Sequence, residues 1–125
     1  MNNEFAQKDV FAQHCGVELI EAGVGTAKAK LCLRPVHHNG MGITHGGALF
    51  ILADFTFGAA ANSHGYDAVT INTHMSFLKS TTEGTLYAEA TETNLRGRIG
   101  SYHVKITDEQ GQIIAIFEGL AYRKF

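Results

Sequence analysis

Residues 45–62, His45-Gly-Gly-Ala-Leu-Phe-Ile-Leu-Ala-Asp54-Phe-Thr-Phe-Gly-Ala-Ala-Ala-Asn62, are apolar on every face that a helix would present. A helix apolar all round cannot lie on a surface and must be covered on most sides. The rest of the chain has to supply that cover, and it reads as strands. Alternation is clearest over residues 26–33, where Ala27, Ala29, Leu31 and Leu33 share one face and Lys28 and Lys30 the other. The pattern starts at Val17 and suggests a bend at Gly23 or Gly25. Four further strands are expected over residues 68–79, 84–94, 101–107 and 112–123. Turn residues at 81–84, 96–98 and 108–111 join them at hairpin length, which predicts a largely antiparallel sheet.

Pro35 ends the first strand region, and residues 36–44, with Asn39-Gly40 and Gly42, form a loop long enough to be functional. Residues 5–14 read as a short amphipathic N-terminal helix, stopped by Gly16 and acting as a lid or packing helix. The expected class is α+β: a five- to six-stranded antiparallel sheet curled around one long central helix. With 125 residues the chain suits a single domain, residues 1–125.

The net charge of −2 and scattered basic residues exclude an electrostatic footprint for nucleic acid. Arg96-Gly97-Arg98 is a small basic cluster; it suits a phosphorylated small molecule, although solvated turn arginines are the commoner case. Cys15 and Cys32 have no metal or redox spacing, and residues 1–8 lack a basic segment followed by an apolar one, so a reduced, cytoplasmic protein is expected. The apolar run, broken by Asp54 and Gly58, is shorter than the roughly 20 residues that span a bilayer, so no membrane role is expected.

Two features of the central helix point to chemistry. Gly46 and Gly47 leave its N-terminus bare, so free N–H groups and the positive dipole end suit a carbonyl oxygen that becomes an oxyanion. Asp54 places a carboxylate where burial is costly, which favours a functional role in nucleophilic attack on an acyl carbon or general-base activation of water. Gly46 and Asp54 are eight residues apart, about 12 Å along a helix, too far to act on one carbon. Two chains with antiparallel helices bring Gly46 of one to Asp54 of the other, so the hypothesis requires a homodimer. Asn39 and His45 flank this centre as a turn residue and a helix cap, or as ligand-placing groups. His37, His38 and His45 lack the spacing of a zinc site, and no metal is expected.

The stretch Asn39-Gly-Met-Gly-Ile-Thr-His45-Gly46-Gly47-Ala-Leu-Phe-Ile-Leu-Ala-Asp54 resembles the signature of the hotdog acyl-CoA thioesterases of the phenylacetic-acid-degradation (PaaI-like) type. The likeness extends to Ala61-Asn-Ser-His-Gly65, Phe77-Leu-Lys79 and Gly100-Ser-Tyr102. It implies the hotdog fold and hydrolysis of an acyl-CoA, aromatic such as phenylacetyl-CoA or medium-chain, to free acid and coenzyme A. A non-catalytic acyl-CoA-binding protein is the alternative. By the same resemblance Asp54 is the catalytic carboxylate and the Gly46 N–H polarises the thioester carbonyl. His45 and Asn39 help place the thioester or leaving group, Thr70 or else Thr73 orients water, and Gly47, Lys79, Arg96 and Arg98 bind the CoA portion. It further implies no cofactor beyond the CoA of the substrate, and a tetramer of two dimers.

Overall fold

The computed structural model describes residues 4–125. Two short helices, α1 (Glu4–Lys8) and α2 (Val10–Cys15), replace the single N-terminal helix expected from the sequence. Asp9 separates them, its side chain accepting a hydrogen bond from the Ala12 N–H at 3.0 Å as the cap of α2. The strands are β1 (Val17–Gly23), β2 (Thr26–Cys32), β3 (Asp67–Phe77), β4 (Thr85–Arg96), β5 (Ile99–Thr107) and β6 (Ile113–Lys124), and the long helix is α3 (Gly46–Ala61). The expected bend after Val17 is a full reversal that turns one strand into the β1–β2 hairpin, with Gly25 at a φ of 74°.

All six strands form one sheet in the order β1-β2-β4-β5-β6-β3, antiparallel at every pairing. The expected hairpin at residues 81–84 is not formed. β3 pairs with β6 at the far edge, and β4 pairs with β2 and β5 in the interior. Turn-forming residues mark a reversal of the chain without specifying the partner, and here the α3–β3 excursion is inserted between two strands that are neighbours in space.

The strands present small residues to the helix. Ala27 and Ala29 of β2, Ala88 and Ala90 of β4, and Ala115 and Ala121 of β6 are all buried, so the sheet can approach the bulkier Leu49, Leu52 and Phe57 of α3. The helix packs most closely on β2, β4 and β5. Gly119 on β6 completes this fit: a β-carbon there would stand 3.0 Å from Cε1 of Phe117 and from Cε1 and Cζ of Phe57.

Both ends of α3 are tied down. At its start, the Thr44 N–H donates to the Thr81 carbonyl at 2.8 Å, the two threonine hydroxyls meet at 2.9 Å, and His38 Nε2 donates to the Thr82 carbonyl at 2.7 Å. At its end, the Asn62 side chain bridges the Gly58 carbonyl (2.8 Å) and the Ala68 N–H (3.0 Å). Ser63 Oγ accepts from the Gly25 N–H at 2.7 Å. Glu92 Oε2 then receives His64 Nε2 at 2.7 Å and the buried Tyr102 hydroxyl at 2.6 Å.

Phe117 is wholly buried, and a β-carbon on Gly119 would press on its ring and on that of Phe57, so Gly119→Ala overpacks the helix–sheet contact and is expected to cost about 1–3 kcal/mol, read as a lower denaturant midpoint at unchanged m-value.

Candidate functional site

His45 has extended backbone geometry and acts as the N-cap of α3, its Nδ1 accepting from the Gly47 N–H at 2.7 Å. Gly47 leaves room for that arrangement, because a β-carbon there would lie 3.0 Å from His45 Nδ1. The Gly46 N–H is left without an acceptor among the described residues, and Gly46 itself is half-buried beside the Phe77 ring at the end of β3. Asn39 organises the approach to the helix: its Oδ1 accepts from the N–H of Met41 at 2.8 Å and of Ile43 at 3.4 Å. The three nearby histidines diverge. Nδ1 of buried His37 accepts from the Arg34 N–H at 3.0 Å, so its Nε2 carries the proton donated to the Cys15 carbonyl at 2.6 Å. His38 and His45 bond elsewhere, as above.

Two turns along the helix, Asp54 is half-buried and accepts no hydrogen bond from any described residue. It opens into a cavity of about 250 Å³ whose other walls include Phe5, Asp9, Phe57, Gly58, Thr70 and Ala121. Burial pushes the Asp54 carboxyl above the usual carboxylate range, and the negative charge of Asp9 pushes it further the same way. Once ionised, such a carboxylate is a stronger base and nucleophile than a solvated one. Thr70, just before a bulge between Thr70 and Asn72 on β3, lines the cavity, whereas Thr73 does not. The structure therefore puts Thr70 and Asp54 on one cavity and leaves Gly46 outside it, two turns away at the start of the helix.

The basic residues divide in the same way. Lys79 lies past the end of β3, near the helix start, bonded to Gln112 and 3.9 Å from Asp108 Oδ2. Arg96 and Arg98 flank the β4–β5 turn at the opposite end of β4, a strand of 12 residues that spans about 36 Å at the usual rise, so one chain does not unite the three. The Arg98 guanidinium stands 4.7 Å from the Phe125 ring centroid. Arg123, unmarked by any sequence motif, joins it: its guanidinium lies over Phe125 at 4.7 Å and Tyr66 at 5.3 Å and donates to the Gly97 carbonyl at 3.0 Å. Asp9 is the other residue that sequence reasoning missed, because on an amphipathic helix it reads as a solvated acid. No described helix is long and apolar enough to cross a membrane.

A family model described as "Thioesterase superfamily" matches residues 41–115. The acyl-coenzyme A thioesterase PaaI of Escherichia coli is 32% identical over 118 residues, covering 94% of this chain and 84% of its own length. The solved structure of that E. coli protein superposes with a TM-score of 0.91 at 29% identity, over 98% of this chain and 96% of the other. A variant of the phenylacetic acid degradation protein PaaI from Thermus thermophilus superposes with a TM-score of 0.89 at 31% identity, over 93% and 100%.

The proximity of Asp9 makes a direct prediction. Asp9→Asn keeps a capping side chain and removes the charge, so the Asp54 carboxyl should titrate at lower pH than in the unmodified protein while staying above the ordinary range, because burial persists. Carbon-13 NMR titration of the aspartate carboxyls measures it; an unmoved or raised Asp54 midpoint contradicts the geometry.

Proposed function

Because the chain belongs to the thioesterase superfamily and is a thioester hydrolase, we propose that it hydrolyses an acyl-CoA to the free acid and coenzyme A, with Asp54 as the catalytic carboxylate. The observation that carries this reading is the unpaired, half-buried Asp54 carboxylate in a cavity that Thr70 also lines. An ionised carboxylate held there attacks the acyl carbon or takes a proton from a water positioned by Thr70. Along the water route, the new C–O bond forms as the carbonyl becomes an oxyanion. The C–S bond then breaks, and the thiolate takes up the proton that Asp54 received. The Gly46 N–H, free of any acceptor among the described residues and at the positive end of α3, is the donor suited to the oxyanion. His45 and Asn39 hold that donor in place through the cap and the loop turn, with Gly47 making room for the imidazole.

The separation of about 12 Å along α3 puts this donor out of reach of Asp54 in the same chain, so the site needs a second copy. β3 is built to receive one. It is an edge strand of 11 residues with exposed Val69, Ile71 and Phe77, and Asp67 is its only Asp, Glu, Lys or Arg, so it lacks the lysines and prolines that protect edges. Antiparallel pairing of two β3 strands sets the helices side by side in opposite directions and gives two equivalent sites. The same pairing carries the Lys79 end of one copy to the Arg96–Arg98 end of the other, where the three charges serve the phosphates of coenzyme A. Two such dimers would form the tetramer.

Thiol release from a panel of acyl-CoAs tests the reading: Asp54→Ala should lose about 10²–10⁴-fold in kcat. Retained turnover in that variant sinks the assignment. The donor is tested by a pair of substitutions at Gly46. Alanine fits beside Phe77 and keeps the N–H, whereas proline is tolerated at the first helical position and removes it, so Gly46→Pro should fall about 10²–10³-fold below Gly46→Ala. Subunit sharing is read by mixing. An Asp54→Ala chain refolded with a Gly46→Pro chain should regain turnover that neither parent shows, because one of the two hybrid sites is intact; a site within one chain gives no recovery.

A further inference from the structure

The Asp54 cavity adjoins a larger cleft of about 660 Å³, and the two share Phe5, Asp9 and Asn62 as walls. The cleft is bounded by α1, by Ala22, Gly23 and Val24 at the β1–β2 turn, and by Tyr66 and Asp67 at the start of β3. Phe5 stands between the two spaces. Its ring lies so close over Gly58 that a β-carbon on Gly58 would come within 2.4 Å of Phe5 Cζ, and its centroid is 6.2 Å from that of Phe55. A glycine inside a helix costs about 1 kcal/mol relative to alanine, and Gly58 has no positive φ to explain it. What the glycine provides is the seat for Phe5. Neither residue has a part in the hydrolytic steps.

We propose that Phe5, seated on Gly58, is the end wall of the acyl pocket and restricts the substrate to short or single-ring acyl groups. A long straight chain entering beside Asp54 meets the Phe5 ring before it can reach the cleft. With the ring removed, the path continues along Ala22, Val24 and Tyr66. This rests on Asp54 being the catalytic carboxylate of an acyl-CoA hydrolase.

The test compares kcat/KM for phenylacetyl-CoA, butyryl-CoA and hexanoyl-CoA with that for decanoyl-CoA and dodecanoyl-CoA, in the unmodified full chain and in Phe5→Ala, Gly58→Ala and Phe5→Trp. The unmodified protein should favour the short and ring-bearing substrates by at least about tenfold. Phe5→Ala should raise the decanoyl-to-hexanoyl ratio about tenfold or more. Gly58→Ala, which forces the ring off its seat, should raise it in the same direction, and Phe5→Trp should lower it. A ratio taken on one preparation is unaffected by the fraction of folded enzyme, so partial unfolding cannot imitate the shift. Should Phe5→Ala not fold, Gly58→Ala decides. A ratio unchanged within about twofold in the folded variants, or an unmodified protein that prefers dodecanoyl-CoA, overturns the inference while leaving the hydrolase reading intact. Absence of thiol release from every acyl-CoA in the unmodified protein overturns both.

Discussion

The contact between α3 and the alanine-lined face of the sheet is the constraint from which the rest of the structure follows. A helix apolar on all sides gains stability only when covered, and a sheet can cover it closely only if its inward residues are small. β2, β4 and β6 meet that need with alanines, and β6 with Gly119 against Phe57. Since α3 sits toward β2, β4 and β5, a gap opens over β6 and β3, and Asp54 faces it. The cavity is thus a by-product of where the helix packs. Its one carboxylate from α3 occupies the side where the sheet leaves room.

Asp54 and the Gly46 N–H are each anomalous within a single chain, the first as an unpaired half-buried acid and the second as a donor with no acceptor among the described residues. Polar groups in such positions normally find partners. Both anomalies are resolved if the reacting thioester lies between them, but helix geometry places them apart by more than one reacting centre can bridge. In the proposed dimer the exposed edge of β3 would supply the remaining element, since a strand beside α3 that accepted a second copy would also determine how the two helices run past one another.

The α+β class was legible in the sequence because the all-apolar run leaves little choice, and the alternating segments match the strands that form. The partner of β3 was not legible. Residues 81–84 look like a hairpin turn and instead begin a crossing from one edge of the sheet to its interior, a choice made by long-range pairing. The segment has a different task, holding Thr44 and His38 so that the start of α3 is fixed. Asp54 could be picked out because an acid in an apolar helix is visible in one dimension, whereas Thr70, with Thr73 as its alternative, came only from the family resemblance. Asp9 and Phe5 could not, since on a short amphipathic helix they look like surface and packing residues, and only the docking of α1 and α2 onto α3 brings them to the cavity. Arg123 was hidden for the same reason: pairing of Ile99 with Tyr122 is what brings the last strand to the Arg96–Arg98 turn.

A site divided between subunits places a demand on α3 that a site within one chain does not. In such a site the start and the middle of the helix would act in different centres, so any fraying or sliding of the helix would misplace both at once, and misplacement on the order of 1 Å can cost about 10²-fold in rate. The network at each end answers that demand. The threonine pair, the His45 cap and the His38 contact to Thr82 hold the start, while Asn62, Ser63 and the His64–Glu92–Tyr102 cluster hold the finish against three different strands and a turn. With both ends fixed to the sheet, the helix holds the Gly46 N–H and the Asp54 carboxylate at a fixed separation. In the proposed dimer, a twofold pairing of the sheets would then set the distance between the two groups in both sites without further adjustment.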